Sequence, residues 1–352
     1  MKFSVATVER LRAHYQGLPV CVTGGAGFIG GHLADALISL GASITVLDDL
    51  SNSTLEHLGS LIELEPRRVR FVHGSVLDDD AVREAVRGEA TCSPFESSAK
   101  LVFHLGAVGS VPRSIKEPQR TWSVNSTGTL RVLEAARESK VGRVIYAASS
   151  SAYGEQRGSA GADGLAKVET QAPLPMSPYA ASKLAGEHLM TAYASSYEIS
   201  TVSLRLFNVF GPRQPADSAY SAVIAAMTKR ILDGQPPLIY GDGRQTRDFT
   251  PVSNAVLALL QAGAIEKNLR GETINIGTGK RASVLELAEL IAKACGVSEV
   301  RPVFDQARAG DVRDSLADLT KAREVLNFTP ITTLEEGIAE TVAWSKRQFA
   351  GA

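Results

Sequence analysis

The chain has 352 residues, 44% of them hydrophobic and 21% charged, a composition that is typical of folded globular proteins and excludes disordered, collagen-like and fibrous chains. Lys and Arg total 37 against 38 Asp and Glu, so no overall positive field would attract nucleic acid or an anionic membrane. Any anion that the protein binds must therefore be held by a local site.

Short β-branched segments alternate with helical patterns from residue 19 onward, as in parallel sheets joined by crossover helices. The predicted strands are 19–23, 43–48, 69–74, 101–106, 143–149 and 199–206. The predicted helices are 30–40, 79–87, 126–139 and 178–197, with a short amphipathic one near the N-terminus and a last one near 334–348. Because most strand segments are apolar without alternation, we expect helices on both faces of the sheet. The predicted fold class is therefore α/β, with a doubly wound parallel sheet.

The pattern changes after residue 206, where Gly211-Pro212 and Pro236-Pro237 separate shorter elements. We therefore expect a helical extension at 1–17, a first domain at 18–206, and a smaller α/β domain mainly at 207–352. A segment near 245–265 is expected to return to the first domain. The second part is rich in arginine, which suits a local anion site.

The three cysteines, Cys21, Cys92 and Cys295, lie far apart and form no C-x-x-C pair, which indicates reduced thiols. Neither they nor the histidines have metal-ligand spacing, so no metal is predicted. The longest apolar stretch, 255–265, is shorter than the ~20 residues of a spanning helix, and the charged N-terminus lacks the apolar region of a secretory signal. The sequence predicts a cytoplasmic protein without a membrane contact.

Residues 23–30 read Thr-Gly-Gly-Ala-Gly-Phe-Ile-Gly, between the first predicted strand and the first predicted helix. At such a turn Gly24 permits the tight bend, Gly27 the approach of a pyrophosphate, and Gly30 close packing of the helix, whose N-terminus offers N–H groups to the anion. Asp48 ends the second strand, where a carboxylate can accept hydrogen bonds from a ribose 2′-OH and would repel a 2′-phosphate. The pattern predicts a Rossmann-type site for NAD rather than NADP. The alternative is a helix-packing glycine turn with a capping aspartate.

Further positions complete the predicted cofactor site. Phe28 and Ile29 belong to the glycine turn, Ser75 and Val76 follow the third strand, and Asn125 stands near the start of a helix. Ser75 could face the adenine. Ser75 and Asn125 could equally serve as turn or cap residues.

Tyr179 and Lys183 are spaced i,i+4 in a segment that opens with Pro178, which suits the first turn of a helix, so the two share one face. The serines at 149–151 follow the fifth strand at its carboxyl end, where open α/β sheets bind ligands. A phenol must be stabilised by ~4 kcal/mol to act as a base near pH 7, and one cation ~4 Å away supplies ~4 kcal/mol at an effective dielectric of 20. We therefore predict Tyr179 as a general base for hydride transfer at a secondary alcohol. The alternative is two chance neighbours on a surface helix.

Together with the segments 204–212 (LRLFNVFGP) and 243–249 (GRQTRDF), these motifs resemble the extended short-chain dehydrogenase/reductase superfamily and, within it, the NAD-dependent nucleotide-sugar epimerases. The N-terminal extension, the segment 109–114 (GSVPRS) and the segment 310–313 (GDVR) are similar to those of bacterial UDP-N-acetylglucosamine 4-epimerases. The resemblance covers essentially the whole chain. It implies NAD as cofactor, a UDP-sugar as substrate, inversion at C4 through a transient 4-keto sugar, and a homodimer formed by the helices near 126–139 and 178–197.

The resemblance also assigns site residues. It implies Ser149 as the catalytic hydroxyl beside Tyr179 and Lys183. The substrate residues that it implies are Ser150 and Ser151 along the sugar, Ser110 and Gln214 at further sugar contacts, Asn208 at the diphosphate, Tyr240 against the uracil, Arg247 and Arg308 on phosphate oxygens, Asp311 at the uridine ribose, and Ser315 beside the sugar C2 substituent. Because a small serine replaces the bulky tyrosine that confines some relatives to UDP-glucose and UDP-galactose, UDP-GlcNAc and UDP-GalNAc are the predicted substrates, with the plain hexoses also allowed.

Rival activities of the same superfamily differ at two positions. Related 4,6-dehydratases have Asp-Glu after the catalytic hydroxyl, and decarboxylases of UDP-glucuronate tend to have Glu at the second position, where this chain has Ser150 and Ser151. Two alternatives stay open: a UDP-uronate 4-epimerase, whose carboxylate a serine or arginine cluster could hold, and a non-catalytic NAD-binding regulator of the same fold.

Overall fold

The computed structural model describes residues 3–88, 98–156, 166–215, 223–298, 301–306 and 312–350. The strands of these parts are β1 (Pro19–Thr23), β2 (Ser43–Asp48), β3 (Val69–His73), β4 (Leu101–His104), β5 (Arg143–Ser149), β6 (Ala166–Lys167), β7 (Ser200–Leu206), β8 (Val209–Phe210), β9 (Leu238–Tyr240), β10 (Thr246–Arg247), β11 (Thr250–Pro251), β12 (Arg270–Ile276), β13 (Ala282–Ser283), β14 (Val303–Asp305) and β15 (Asp314–Ala317). The helices are α1 (Val5–Tyr15), α2 (Phe28–Ser39), α3 (Glu56–Leu64), α4 (Asp79–Arg87), α5 (Val111–Lys116), α6 (Pro118–Trp122), α7 (Gly128–Glu138), α8 (Pro178–Tyr197), α9 (Val223–Leu232), α10 (Val252–Ala264), α11 (Val284–Cys295), α12 (Thr320–Leu326) and α13 (Leu334–Ala350).

The central sheet of the described chain has seven parallel strands in the order β12-β7-β5-β4-β1-β2-β3. Strand order reverses between β1 and β4, and ligands of open α/β sheets bind at the carboxyl edge beside such a reversal. The predicted doubly wound α/β fold is confirmed. The seventh strand, β12, was not predicted. Its register shifts between Arg270 and Glu272, and Gly271 between them is left-handed (φ +82°), so the first residues do not follow a regular strand pattern.

Helices cover both faces of this sheet. One face packs against α1, α2, α10 and α12 through residues such as Leu33, Leu260 and Phe328, and the other packs against α4, α7 and α8 through residues such as Leu133 and Met190. The other described strands form three smaller sheets, with the orders β13-β10-β15-β6, β11-β8 and β14-β9. Apart from β6, these strands all follow β7 in the sequence. A third core joins α9, α11 and α13. The apolar segment near residue 260 is therefore a buried helix of the main core.

Local signals fix the ends of the helix that carries the predicted catalytic pair. Ser177 precedes α8, and its side chain accepts a hydrogen bond from the N–H of Ala180, while Pro178 occupies the first turn. The helix ends at Glu198, which adopts a left-handed conformation. A π-helical turn, Ser123–Thr127, precedes α7, and a 3₁₀ turn, Ser150–Tyr153, follows β5.

Several predictions concern residues outside the described parts. They are Arg308, Asp311, Cys92 and most of the segment 88–99. Among the described residues, Cys21 and Cys295 are free thiols, and no cluster of His, Cys, Asp and Glu could hold a metal ion. No helix in the described parts combines the length and the apolar character needed to cross a membrane.

Candidate active site

A cleft of about 570 Å³ follows the carboxyl edge of the central sheet. Because the strands are parallel, the loops after β1, β2, β5 and β7 meet at this edge. The cleft brings together many of the predicted site residues, namely Gly24, Gly27, Phe28, Ile29, Gly30, Asp48, Val76, Ser149, Ser150, Ser151, Tyr179, Lys183, Asn208, Gln214, Arg247 and Ser315.

The glycine turn forms one end of the cleft. Gly24 has φ +69°, and a Cβ there would lie 2.7 Å from the nitrogen of Gly106, while a Cβ on Gly30 would lie 2.1 Å from the carbonyl oxygen of Gly24. The residue that precedes α2, Gly27, has no side chain to accept from the first N–H groups of the helix. Those N–H groups are thus available to an anion, as a pyrophosphate requires.

Asp48 lies beside this turn at the end of β2. Its Oδ2 accepts a hydrogen bond from the N–H of Ala26 (3.0 Å), and its Oδ1 accepts from the N–H of Leu50 (2.9 Å) and the hydroxyl of Ser53 (3.0 Å). Each carboxylate oxygen has two acceptor positions, so Oδ2 keeps one for a ribose hydroxyl. The glycine turn, the uncapped helix and this fixed carboxylate together fit NAD.

Four predicted site residues do not lie among the described residues that line the cleft. Ser75 accepts a hydrogen bond from the N–H of Leu77, and Ser110 caps α5 by accepting from the N–H of Arg113, both at 3.2 Å. Tyr240 lies on β9. Contact of these three with ligands stays a prediction.

Asn125, the fourth, is buried in the π-helical turn and holds two elements together. Its side-chain amide pairs with both backbone groups of Val108, at 2.8 and 3.2 Å, and donates to the hydroxyl of Ser182 on α8 at 3.0 Å. Through Asn125, these hydrogen bonds together connect the loop after β4 to the catalytic helix α8. The structure therefore shows Asn125 as a residue that positions α8, and a direct cofactor contact stays a prediction.

The middle of the cleft carries Ser149, Tyr179 and Lys183. Lys183 is 4% exposed, its Nζ donates to the carbonyl oxygen of Ala147 (2.8 Å), and it lies 4.8 Å from the centroid of the Tyr146 ring. Ser149 forms a hydrogen bond with Tyr179 and accepts one from the hydroxyl of Ser151 at 2.9 Å. The three hydroxyl groups of Ser151, Ser149 and Tyr179 thus form a hydrogen-bonded row.

Burial changes the protonation of this group in a way that the sequence did not predict. Desolvation raises the pKa of Tyr179, against the hydrogen bond from Ser149, which lowers it. Desolvation also lowers the pKa of Lys183 to about 7, although Glu187 opposes that change. The direction of the shift at Tyr179 is opposite to the one expected for a phenol beside an ammonium, because burial disfavours the phenolate.

An unpredicted ion pair lies behind Lys183. Glu187 accepts two hydrogen bonds from Arg205, at 2.9 and 2.7 Å, and both side chains are almost fully buried. The guanidinium of Arg205 lies 4.5 Å from the ring centroid of Tyr153, whose hydroxyl donates to Asn275 at 2.7 Å. This network joins the catalytic helix to the turn that carries the serines. The signal in the sequence was the continued i,i+4 spacing from Tyr179 and Lys183 to Glu187.

The far end of the cleft is built on the small sheet. Arg247 on β10 is the register partner of Ser315 on β15, and both line the cleft. The next residue, Asp248, is buried and accepts hydrogen bonds from the N–H groups of Thr278 and Gly279 at 2.8 and 2.9 Å. Asp248, which the sequence analysis did not single out, thus fixes the strand that carries Arg247.

Two amides complete this end. Asn208 (φ +30°) donates from Nδ2 to the carbonyl oxygen of Asp248 at 3.3 Å, and Gln214 donates from Nε2 to that of Val209 at 3.2 Å. The Oε1 of Gln214 is buried and has no hydrogen-bond donor among the described residues. A ligand that donates a hydrogen bond at this position would satisfy it.

Comparisons with known proteins agree with this geometry. The pattern of the NAD dependent epimerase/dehydratase family matches residues 20–277. A UDP-glucose 4-epimerase of Mycolicibacterium smegmatis is 36% identical over 328 residues, which are 93% of this chain and 98% of that protein. A dTDP-glucose 4,6-dehydratase of Streptomyces niveus is 33% identical over 341 residues, 92% of each chain. The structure of a UDP-N-acetylglucosamine 4-epimerase of Methanobrevibacter ruminantium, in complex with UDP-N-acetylmuramic acid, superposes with a TM-score of 0.83 at 34% identity and covers 95% of this chain and 99% of that one.

Proposed function

The chain belongs to the NAD dependent epimerase/dehydratase family and uses NAD as its cofactor, and we propose that within this family it is a UDP-sugar 4-epimerase. The observation that carries the proposal is a single cleft with Ser149, Tyr179 and Lys183 in its middle. The glycine turn lies at one end and Arg247 with Ser315 at the other.

The chemistry divides between the cofactor and the chain. NAD, when bound, supplies the acceptor and then the donor of the C4 hydride, so that a 4-keto sugar forms transiently and no net redox change results. Tyr179 takes the proton of the C4 hydroxyl and later returns it, Lys183 stabilises the phenolate, and Ser149 holds the same substrate oxygen. The cofactor-binding residues are Gly24, Gly27, Phe28, Ile29, Gly30, Asp48 and Val76.

Inversion needs the sugar to turn over while the nucleotide stays bound. The end with Asn208 and Arg247 suits the diphosphate, since a guanidinium binds phosphate oxygens in pairs. Arg308, Asp311 and Tyr240 are proposed to complete the UDP site. Serine hydroxyls along the sugar, from Ser149 to Ser151, can bond either face of the ring. Tight nucleotide contacts and loose sugar contacts are what the rotation requires.

The positions of the carboxylates in the cleft favour epimerisation over dehydration. Among the described residues that line it, the carboxylates are Asp48 and Asp49, both at the end of β2 beside the glycine turn. Loss of water from a 4-keto sugar needs an acid and a base near C5 and C6. Ser150 and Ser151 occupy the positions at which related 4,6-dehydratases have Asp and Glu. A serine hydroxyl cannot serve as that acid or base near neutral pH.

Room at the far end favours N-acetylated sugars. Ser315 is a small residue beside Arg247, and the Oε1 of Gln214 offers an acceptor that an amide N–H or a hydroxyl could use. We propose UDP-GlcNAc and UDP-GalNAc as substrates, with UDP-glucose and UDP-galactose also turned over. A UDP-uronate is a second candidate, because the hydroxyls of Ser149 and Ser151 can donate to a carboxylate.

The test is direct epimerisation. The purified protein is incubated with NAD and each UDP-sugar, and the C4 epimer is quantified by proton NMR. We expect interconversion by the wild type and a loss of about 10³-fold in kcat for Tyr179→Phe, at the scale of general base catalysis. Tyr179→Phe that retains near-wild-type kcat would refute the assignment of the base. Tight NAD binding without any epimer from any UDP-sugar would favour a regulatory protein.

We also propose a homodimer. Exposed apolar side chains lie on α8 and on three helices that contact it: Ile115 on α5 (54% exposed), Trp122 on α6 (49%), Leu130 on α7 (39%) and Tyr197 on α8 (52%). A second copy would remove them from water. Sedimentation should give a dimer for the wild type and for the control Ile331→Glu, and a monomer for Trp122→Glu. A monomeric wild type at micromolar concentration would contradict the proposal.

The thiols support the proposed cytoplasmic location. Cys21 is fully buried, and burial raises its pKa to about 12, so that it stays an inert thiol. Cys295 is half-buried and also free. Free thiols of this kind persist in a reducing compartment.

A further inference from the structure

Lys167 is a second buried ammonium in the wall of the cleft. Its side chain is 4% exposed, yet it lines the cleft together with Ser150, Ser151 and Ser315. It belongs to the two-residue strand β6 and is the register partner of Ala317 on β15. Ser315 and Ala317 are two residues apart, so they project from the same face of the small sheet as Lys167. Lys167 therefore lies in the part of the cleft that Ser150, Ser151 and Ser315, the proposed sugar contacts, also line.

The ammonium of Lys167 has few hydrogen-bond partners among the described residues. Its Nζ donates to the carbonyl oxygen of Gln156 at 3.5 Å, which is at the outer limit of a hydrogen bond. An ammonium has three N–H donors, so the described residues leave at least one of them available. No carboxylate of the described residues forms a salt bridge with Lys167, and Asp314 and Glu155 act on it only through longer-range attraction. Desolvation outweighs that attraction and lowers the pKa of Lys167.

A buried cation with unused donors favours an anion in the cleft. Among the described residues, Asp314 and Glu155 attract it only at longer range, and the carboxylates that line the cleft, Asp48 and Asp49, lie at the end of β2. The diphosphate has its own candidates in Arg247 and, from the sequence, Arg308. The remaining source of negative charge is the sugar of the substrate.

We propose that Lys167 binds a carboxylate carried by the sugar, and that it lets the cleft accept acidic UDP-sugars beside the neutral ones. This inference rests on the proposed UDP-sugar function. Two sources of the same chemistry fit: the C6 carboxylate of a hexuronate, and a carboxylate on an ether-linked substituent, as in UDP-N-acetylmuramic acid. Lys167 is a specificity residue in this proposal, because it touches the sugar but not the reacting C4.

The experiment compares neutral and acidic substrates in matched variants. kcat/KM is measured for UDP-GlcNAc, UDP-glucuronate and UDP-N-acetylmuramic acid with the wild type, Lys167→Met, and Lys293→Met. Lys293 is an exposed residue of α11 away from the cleft, and its replacement removes the same charge. Loss of one charged hydrogen bond predicts a ~10- to 100-fold lower kcat/KM for the acidic substrate with Lys167→Met, and less than ~3-fold for UDP-GlcNAc.

The outcomes separate the sources and the two levels of the proposal. A loss confined to UDP-glucuronate identifies the C6 carboxylate, and a loss confined to UDP-N-acetylmuramic acid identifies the ether-linked acid. Equal losses for neutral and acidic sugars, or no loss at all, would overturn the role of Lys167. If no UDP-sugar is epimerised by the wild type, the proposed function fails.

Binding gives an independent readout that does not need turnover. Calorimetry with Tyr179→Phe compares UDP-glucuronate with UDP-glucose, and the same pair is measured for Tyr179→Phe combined with Lys167→Gln. We expect UDP-glucuronate to bind at least ~10-fold more tightly than UDP-glucose, and the preference to vanish when Lys167 is replaced. A wild-type-like fold of the glutamine variant is checked by its thermal unfolding. Equal affinities in the presence of Lys167 would overturn the inference even if epimerisation is found.

Discussion

Lys183 and Lys167 are each 4% exposed and line the same cleft, yet the protein surrounds them differently. Lys183 lies on the 20-residue helix α8, bonds the carbonyl of Ala147 at 2.8 Å, and has Glu187 one turn further along. Lys167 lies on a two-residue strand, and its ammonium forms one hydrogen bond with the described residues, at 3.5 Å. The first ammonium is positioned by the protein, while the second is left with capacity for a ligand. The number and length of the hydrogen bonds that the protein forms with each ammonium thus distinguish the proposed catalytic lysine, Lys183, from the proposed recognition lysine, Lys167.

The largest expected effect is on the Lys183 side. Lys183→Met removes the cation beside Tyr179, which is worth ~4 kcal/mol to the phenolate at ~4 Å and an effective dielectric of 20, or ~10³-fold in kcat. The measurement is kcat for UDP-GlcNAc at pH 7 in the Lys183→Met and Lys167→Met variants. Equal effects of both replacements on this neutral sugar would erase the distinction between the two lysines.

The second test concerns the ion pair behind Lys183. Glu187→Gln leaves the buried Arg205 without a carboxylate, so we expect the free energy of unfolding to fall by about 3 kcal/mol in urea titrations. The double variant Glu187→Leu with Arg205→Met removes both charges and should lose less. On the Lys167 side, Asp314→Asn should cost under about 1 kcal/mol, because Asp314 is only half-buried and forms no described salt bridge with Lys167. Asp314 also accepts a hydrogen bond from Thr246, so a loss for Asp314→Asn that clearly exceeds the loss for Thr246→Val would show that Lys167 is held by the protein after all.

The third test compares the two serines of the hydroxyl row, Ser149 next to Tyr179 and Ser151 one position further away. Ser149 bonds Tyr179 directly, whereas Ser151 reaches it only through Ser149. Ser149→Ala should lower kcat by about 10²-fold, since it removes a hydrogen bond to a charged oxygen, and Ser151→Ala by less than about 10-fold. Steady-state kcat with UDP-GlcNAc measures both. The reverse order would place Ser151, and not Ser149, on the reacting oxygen.

The cofactor end of the site could be predicted from the sequence because its parts are contiguous. The glycine turn, the strand before it and the helix after it lie within residues 19–39, and Asp48 ends the next strand, so spacing alone fixes their meeting point. The pair Tyr179 and Lys183 was predictable for the same reason, since i,i+4 spacing on a helix is local. The structure places all of these in the cleft.

Long-range packing could not be predicted in the same way. Arg205 meets Glu187, Asp248 meets Thr278, and Lys167 pairs with β15, and in each case the partners belong to separate elements brought together by the tertiary fold. Desolvation was also invisible in the sequence, and for that reason the direction of the pKa of Tyr179 differed from expectation. Asn125 shows the same limit, since its partners Val108 and Ser182 decide its role.

The smallest expected effect tests the core beneath Lys183. His104 is 1% exposed, bonds the hydroxyls of Thr23 (2.7 Å) and Thr129 (2.9 Å), and stacks on Tyr146. Desolvation, followed by the nearby charge of Lys183, lowers its pKa to about 3. Below a pH of ~6.5 the unfolded chain therefore takes up a proton at this residue that the folded chain does not, and the free energy of unfolding falls by ~1.4 kcal/mol per pH unit from this group.

His104→Gln keeps a polar amide between the two threonines but removes the titration. Urea unfolding at pH 7, 6 and 5 should give a shallower loss of stability for His104→Gln than for the wild type, by up to ~1.4 kcal/mol per pH unit. His188→Gln, on the exposed face of α8, serves as the matched control. If His104→Gln has the wild-type slope, then His104 accepts a proton within the folded core, and burial does not exclude a charge at this position.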